Sequence, residues 1–259
     1  MANSVLWFEV RGKDGSALRK FYSELFGWKI SAGDPTSGFD YGLIEPGYGG
    51  LPGGIGSSPD RSSGHATFYV EVDDPTAILG RAEMLGGKLV MPETEIPSTR
   101  VKLAYFADPE GHVIGVSNGA AVGGRGDAGA NPVLWFEVMG KDGTTLRNFY
   151  HELFGWKISQ ASAFDYWMIE ATGEGVAGGI GIGRSVPGLG ATHPDGGTGF
   201  ATFKVEVDDP AATLAKAEEL GGEKVMPVTD VPGTHMKIAY FADPEGHVIG
   251  LSRGLGFTS

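Results

Sequence analysis

The chain contains two copies of one long pattern, and this repeat constrains its fold more than any other feature. Val5–Ile30 match Val133–Ile158 at 21 of 26 positions, and Tyr105–Val116 match Tyr240–Leu251 at 11 of 12. A repeat unit of more than about 100 residues indicates tandem domains rather than a solenoid of short units. A stretch rich in glycine and alanine separates the copies, as is typical of a linker. The predicted organisation is a first domain in residues 1–120, a linker in 121–130 and a second domain in 131–259.

Each copy reads as a strand, a helix and further strands, and this order then occurs a second time. In the segment LWFEV, Trp7 and Glu9 alternate with apolar residues that face the opposite way, which predicts a strand. Apolar residues at helical spacing follow, from Leu18 to Phe26, and Gly27 ends the helix. The second half of each copy begins with another alternating strand, a helix opened by DDP, and strands that meet at a DPEG turn. We therefore predict an α+β fold in which helices cover one face of each sheet and leave the other face concave.

Composition excludes several classes of function. The net charge is −12, both halves are acidic, and no basic stripe is present to neutralise phosphates, so nucleic acid is not an expected partner. No apolar run approaches the roughly 20 residues that cross a bilayer, and the first residues carry no secretory pattern. The absence of cysteine excludes disulfides, thiol nucleophiles and zinc–thiolate sites. We expect a cytoplasmic protein without a membrane partner.

The motifs LFGW, VDDP and YFADPEGH, in this module order, resemble those of the vicinal oxygen chelate superfamily. That superfamily includes glyoxalase I, extradiol dioxygenases, fosfomycin-resistance proteins and bleomycin-resistance proteins. The resemblance covers nearly the whole chain apart from the linker and loops, and it is closest to two-domain glyoxalase-like proteins of bacteria. It implies paired βαβββ modules in each domain that curl into a cleft. It also implies that metal-dependent relatives hold the ion through residues on the first and last strands of each module.

Transferred to this sequence, the family's metal positions carry few residues that bind metal. One oxygen ligand remains in each copy, because tryptophan and glycine side chains do not coordinate and a lone glutamate does not hold a divalent ion against water. The resemblance therefore leads us to predict no metal ion and no cofactor. The four positions fall on Trp7, Glu45, Thr67 and Gly115 in the first copy and on Trp135, Glu170, Thr202 and Gly250 in the second.

The inward-facing residues predict a pocket for a small molecule, since aromatic walls with a few fixed carboxylates suit such a ligand. A partly buried glutamate beside tryptophan also has the character of a general acid or base. The alternative is that Trp7 and Trp135 fill the space of a missing metal site. The proton-transfer candidates are Glu9, Glu45, Glu137 and Glu170. The ligand-binding candidates are Trp7, Tyr41, Thr67, Tyr69, Trp135, Tyr166, Met168 and Thr202.

The function expected from these residues is metal-independent binding of an aromatic or cationic metabolite. Two outcomes of binding stay open: sequestration, as in bleomycin-resistance proteins, or a metal-free isomerase, lyase or hydroxylase-like step. The rival hypothesis is a metal-dependent glyoxalase-type lyase or dioxygenase that uses other ligands, such as His65 and Glu45. The assembly expected is a monomeric pseudo-dimer or a homodimer. His112 and His247 are interpreted as residues that stabilise the DPEG turns.

Overall fold

The computed structural model describes residues 3–32, 40–44, 50–60, 64–96, 99–119, 131–161, 165–183 and 199–255 of the 259-residue chain. Within these residues the first copy contains β1 (Val5–Gly12), α1 (Gly15–Phe26), β2 (Tyr41–Ile44), β3 (Gly53–Ser57), β4 (His65–Glu71), α2 (Pro75–Met84), β5 (Lys88–Glu95), β6 (Lys102–Ala107) and β7 (Val113–Ser117). The second copy contains β8 (Val133–Gly140), α3 (Gly143–Phe154), β9 (Ile158–Gln160), β10 (Tyr166–Ile169), β11 (Gly178–Ile182), β12 (Phe200–Glu206), α4 (Pro210–Glu219), β13 (Glu223–Asp230), β14 (Lys237–Ala242) and β15 (Val248–Arg253).

Each copy forms one sheet, and the two sheets have corresponding strand orders. The first sheet has seven strands in the order β2-β3-β1-β4-β7-β6-β5, and the second has eight in the order β13-β14-β15-β12-β8-β11-β10-β9. The eighth strand is β9, whose place in the first copy is taken by a single bridge between Ile30 and Ile44. In both sheets the first strand of a module pairs in parallel with its last strand, as in β1–β3 and β4–β7. The predicted α+β fold of two tandem sheets is confirmed.

The long helices begin and end where the sequence predicts. The carboxylate of Asp14 accepts the backbone N–H groups of Ser16 and Ala17, and these bonds lower the pKa of Asp14 because they stabilise its charged form. Gly27 ends α1 in the left-handed region, at φ 69°, where glycine avoids the steric cost of a Cβ. Asp142 and Gly155 bound α3 in the same way. Cap and stop signals therefore place the helices in both copies.

The chain divides into two compact units, and each unit contains part of both copies. The first unit comprises Met1–Trp7, Thr67–Val122 and Phe136–Ala201. The second comprises Phe8–Ala66, Gly123–Trp135 and Thr202–Ser259. The predicted linker, 121–130, lies outside the described residues, so the predicted domain boundaries stay predictions. None of the helices in the described part of the chain has the length and apolar content that a bilayer crossing requires.

Candidate functional site

Glu9 lies on β1 and is buried, with 2 % of its side chain exposed. The guanidinium of Arg11, two residues later on the same strand, donates from Nε to Oε1 of Glu9 at 3.0 Å. Nε2 of His65, on β4, lies 3.5 Å from the same oxygen. Arg11 also donates to the carbonyl oxygen of Ser57 at 3.0 Å, which fixes the guanidinium against β3. The carboxylate is therefore held in a defined ion pair.

Tyr41 extends this cluster from β2. The central carbon of the Arg11 guanidinium lies 4.8 Å from the centroid of the Tyr41 ring, within the range of a cation–π interaction. The ring of Tyr41 covers Gly54 so closely that a Cβ at this glycine would overlap it. Gly53 is covered in the same way by the ring of Phe8. The glycine-rich strand β3 thus makes room for aromatic rings on neighbouring strands, as expected where another group approaches a backbone closely.

Glu137 is the counterpart of Glu9 in the second copy and is completely buried. The hydroxyl of Tyr166, the counterpart of Tyr41, donates to Oε1 of Glu137 at 2.6 Å. That length is typical of a hydrogen bond from a hydroxyl to a carboxylate. The counterparts of Arg11 and His65 are the uncharged residues Met139 and Phe200. The second copy therefore keeps the buried carboxylate and the tyrosine but changes two of the neighbours.

Gly115, at one of the family's metal positions, is covered by a tyrosine. In the sheet it is paired with Tyr69 on β4 and with Tyr105 on β6. A Cβ at Gly115 would lie 2.5 Å from Cδ1 of Tyr69, which is closer than van der Waals contact allows. The hydroxyls of Tyr69 and Tyr105 form a hydrogen bond, and both side chains are buried. The ring of Tyr69 therefore occupies the space that a carboxylate at position 115 would need.

Gly250, the matching glycine of the second copy, is covered by a lysine instead. It is paired with Lys204 on β12 and with Tyr240 on β14. A Cβ at Gly250 would lie 2.5 Å from Cγ of Lys204. The ammonium nitrogen of Lys204 lies 5.5 Å from the centroid of the Tyr240 ring, and the lysine is only 6 % exposed. In both copies a side chain thus occupies the space beside this glycine, but it is a tyrosine ring in the first copy and a lysine chain in the second.

Thr67 and Thr202 are completely buried, and their hydroxyls are used by the sheets. Oγ1 of Thr67 donates to the carbonyl oxygen of Val113 at 2.6 Å, and Oγ1 of Thr202 donates to that of Val248 at 2.6 Å. A hydroxyl has one proton to donate, and in both copies it goes to the backbone of the neighbouring strand. The predicted contribution of these threonines to ligand binding stays a prediction.

The residues at the family's metal positions do not fit a divalent ion. In the first copy, the indole of Trp7 has no lone pair to offer, Thr67 bonds the sheet, and Tyr69 covers Gly115. Glu45, the remaining position, lies outside the described residues. Among the residues that the structure describes, no three His, Asp or Glu side chains lie close enough together to hold one ion. The prediction that the site binds no metal ion therefore depends on the side chains at the family's metal positions.

The other predicted residues differ in how far they are buried. Trp135 is 7 % exposed, whereas Trp7 and Met168 are half-buried. Glu170 follows β10 and is 61 % exposed, with one oxygen 3.8 Å from the ammonium of Lys157. This position places Glu170 in a surface ion pair, apart from the buried carboxylates. The predicted roles of these residues remain untested.

Arg11 was missed by the sequence reasoning, although a signal for it was present. The alternation that put Trp7 and Glu9 on one face of β1 continues to Arg11 at the next inward position. In the stretch shared with Val133–Ile158, five residues differ between the copies. Of those five, Arg11 alone lies on the β1 strand, where Met139 replaces it in the second copy. A difference between the copies on the inward face of an otherwise identical strand was therefore a signal for Arg11.

Comparison with known proteins assigns the family. The profile of the Glyoxalase/Bleomycin resistance protein/Dioxygenase superfamily matches residues 4–116 and 133–251. The anthracycline biosynthesis protein DauV of Streptomyces sp. (strain C5) is 29% identical over 273 residues, which cover 93% of this chain and 89% of DauV.

Two solved structures show the same fold. The Mn(II)-bound glyoxalase from Novosphingobium aromaticivorans has a TM-score of 0.64 at 13% identity, over 97% of this chain and 82% of its own. A variant of 4-hydroxymandelate synthase from Streptomyces coelicolor has a TM-score of 0.62 at 13% identity, over 100% of this chain and 95% of its own. The profile matches most of the residues in both copies. The chain therefore belongs to the Glyoxalase/Bleomycin resistance protein/Dioxygenase superfamily.

Proposed function

We propose that the protein binds a small aromatic or cationic molecule beside Glu9 in the first copy and beside Glu137 in the second, without a metal ion. The observation that carries this proposal is the burial of a carboxylate at the same strand position in both copies, with 2 % and 0 % exposure. Burying a carboxylate costs free energy that an apolar residue at the same place would not cost. Burial of a carboxylate at the same position in both copies, despite that cost, supports a binding role for both.

The surroundings of the two carboxylates support an aromatic ligand. Tyr41 and Tyr166 are half-buried rings that lie against glycine-rich strands, and each belongs to the cluster around its glutamate. Trp7 and Trp135 precede the glutamates by two residues and share their strand faces. Aromatic faces of this kind stack on flat ligands and attract cations. The name of the anthracycline biosynthesis relatives supports the aromatic part of the proposal.

A buried carboxylate also has the chemistry to accept a proton from a bound ligand. In the second copy the hydroxyl of Tyr166 holds the Glu137 carboxylate, and in the first the guanidinium of Arg11 holds Glu9. These partners hold each carboxylate in a fixed position, which a proton-transfer role requires. The metal-dependent lyase or dioxygenase is the weaker alternative, because the side chains at the family's metal positions do not supply a ligand set.

Isothermal titration calorimetry tests the proposal with three probes of one shape and different charge. The probes are 2-naphthylmethylammonium, 2-naphthylmethanol and 2-naphthoate, each added to protein dialysed against EDTA. We expect the cation to bind most tightly, and Glu9→Gln and Glu137→Gln each to weaken one set of sites about tenfold, because each removes a negative charge near the ligand. Glu83→Gln, which changes an exposed carboxylate on α2, is the control and should leave binding unchanged.

Two results would contradict the proposal: tightest binding of the naphthoate, or binding of any probe that requires added Mn²⁺, Ni²⁺ or Zn²⁺. Incubation with excess ligand then separates a carrier from a catalyst. Consumption of more than one equivalent of ligand per site shows turnover, whereas protection that stops at one equivalent shows sequestration.

A further inference from the structure

Lys204, on β12, is a buried lysine, with 6 % of its surface exposed. In the part of the chain that the structure describes, every other lysine is exposed or half-buried. Removing an ammonium group from water costs free energy, and lysine is therefore among the residues least often found inside proteins. The burial of Lys204 marks a position where a basic side chain is present despite that cost.

The side chain of this lysine lies across the neighbouring strand. Lys204 is paired in register with Gly250 on β15, and Gly250 is paired with Tyr240 on β14. A Cβ at Gly250 would lie 2.5 Å from Cγ and 3.4 Å from Cδ of Lys204. The ammonium nitrogen lies 5.5 Å from the centroid of the Tyr240 ring, on the second strand from β12. The missing side chain at Gly250 thus lets the lysine cross β15 and reach an aromatic ring.

The lysine shares its face of the sheet with two of the family's metal positions, Thr202 and Gly250. Lys204 follows Thr202 by two residues on β12, so the two side chains point to the same face. Gly250 is the residue directly opposite Lys204 and belongs to that face as well. All three residues lie in one compact unit of the chain. A basic group therefore lies on the face of the sheet where the family resemblance places a metal ion.

The fold does not require a lysine at this position. In the first copy the matching residue is Tyr69, which covers Gly115 as Lys204 covers Gly250. The hydroxyl of Tyr69 is hydrogen-bonded to that of Tyr105 on the next strand but one. An uncharged side chain therefore fits the same place in a sheet of corresponding strand order. The lysine of the second copy adds a basic group that packing does not demand.

A single ammonium group beside an aromatic ring suits one negatively charged oxygen. Opposite charges attract more strongly where water is excluded, and a nearby cation favours the ionised form of an acid. A carboxylate would have to give up its hydration with its full charge before it reached a buried group. A phenol enters uncharged and loses its proton only beside the ammonium, so it avoids that cost. The surroundings of Lys204 therefore favour a phenolic hydroxyl over a carboxylate.

We propose that Lys204 binds the hydroxyl oxygen of a phenol, as the phenolate, in the second copy. The O–H bond of the phenol breaks and its proton leaves to the solvent, while the ammonium keeps its three protons and donates one hydrogen bond to the phenolate oxygen. This recognition goes beyond the proposed binding beside Glu9 and Glu137, because a different side chain carries it. The first copy, with Tyr69 in place of the lysine, does not share it.

The test measures the ionisation of 2-naphthol by absorbance as pH is raised, with protein in excess. We expect the midpoint for bound 2-naphthol to lie about one pH unit or more below that of free 2-naphthol, because a cation stabilises the naphtholate. Lys204→Met should abolish the shift, and Lys204→Arg, which keeps the cation, should retain most of it. Lys216→Met, which changes an exposed lysine on α4, is the control and should leave the shift unchanged.

An unchanged midpoint in the natural protein would overturn the proposal, as would an equal shift in Lys204→Met or no binding of 2-naphthol. Lys204→Tyr provides a second variant, because the first copy shows that a tyrosine fits at this position; it should fold and lack the shift. Tighter binding of 2-naphthoate than of 2-naphthol in the natural protein would also overturn the preference for a hydroxyl. Binding of 2-naphthylmethylammonium beside the glutamates is measured separately, so failure of either test leaves the other standing.

Discussion

The clusters around the two buried glutamates share a plan and differ in their charges. Glu9 is paired with Arg11 and lies 3.5 Å from His65, whereas Glu137 accepts a hydrogen bond from Tyr166. The copies also differ at three of the positions described above, which are Arg11 against Met139, His65 against Phe200, and Tyr69 against Lys204.

Each copy thus has one basic side chain, an arginine or a lysine, among these positions, but on a different strand. In the first copy it is Arg11 on β1, and in the second it is Lys204 on β12. The carboxylate, the tyrosine and the glycines are the same in both copies, whereas the basic residue lies on a different strand. The proposed binding beside both glutamates therefore rests on the residues that the two copies share.

The largest loss of stability is expected from Arg11→Met, which gives the first copy the residue that the second copy has at this position. It leaves Glu9 buried without the guanidinium at 3.0 Å, and breaking a buried ion pair typically costs about 3 kcal/mol. Urea denaturation at pH 7 measures the loss in the free energy of unfolding. Adding Glu9→Gln should restore part of it, and Met139→Leu is the matched control. A loss below about 1 kcal/mol would show that the pair is not what holds Glu9.

A second comparison concerns the covered glycines. Gly115→Ala forces a methyl group against the rigid ring of Tyr69, and overpacking of this kind costs about 2 kcal/mol. Gly250→Ala meets Cγ of Lys204 at 2.5 Å and Cε1 of Tyr240 at 3.2 Å, both on buried side chains, so we expect a loss of similar size. Urea denaturation measures the loss in the free energy of unfolding for both variants. A loss below about 1 kcal/mol in either variant would contradict the close packing of these glycines.

Alkaline pH should affect equally the two buried hydrogen bonds from a tyrosine to an aspartate, Tyr22 to Asp243 and Tyr150 to Asp108. Because Tyr22 and Tyr150 have raised pKa values in the folded protein, the unfolded chain loses these protons first, from about pH 10 upward. The unfolded state then binds fewer protons, so the free energy of unfolding falls as pH rises, by about 1 kcal/mol per tyrosine at pH 10.5.

Urea denaturation between pH 8 and pH 10.5 tests this dependence. Tyr22→Phe and Tyr150→Phe should each remove an equal share of the fall, and the double variant should remove both shares. An unchanged alkaline slope in the double variant would show that other groups cause it.

The smallest loss of stability is expected from His65→Phe, which again introduces the residue found at this position in the second copy. His65 is partly exposed, its Nε2 lies 3.5 Å from Oε1 of Glu9, and a polar contact of that kind contributes about 0.5 kcal/mol. The reciprocal change, Phe200→His, supplies the comparison in the second copy. Denaturation curves at pH 7 measure both, and a loss above about 2 kcal/mol in His65→Phe would show a structural role that its geometry does not suggest.

Much of the fold could be predicted because its signals are local. Alternation predicted β1, capping aspartates and a closing glycine predicted α1, and the repeat carried both predictions into the second copy. The buried positions of Glu9 and Glu137 followed from the same alternation. Each of these predictions requires only the sequence of a single helix or strand.

Other features could not be predicted because they depend on where separate segments meet. Gly115 was identified as a family metal position without a ligand, but the ring that covers it comes from Tyr69 on another strand. The bond between Tyr22 and Asp243 joins residues 221 positions apart. Arg11 is the exception, since the period of β1 already placed it beside Glu9.

Because Tyr69 covers Gly115, the order in which substitutions can occur at these two positions during evolution is constrained. A carboxylate that appears there first meets the tyrosine ring and weakens the fold before it has any ion to bind. Replacement of the tyrosine must come earlier, and that step by itself supplies no new metal ligand. Any route to a metal site at this position therefore begins with a change that supplies no metal ligand, which favours the persistence of the present arrangement.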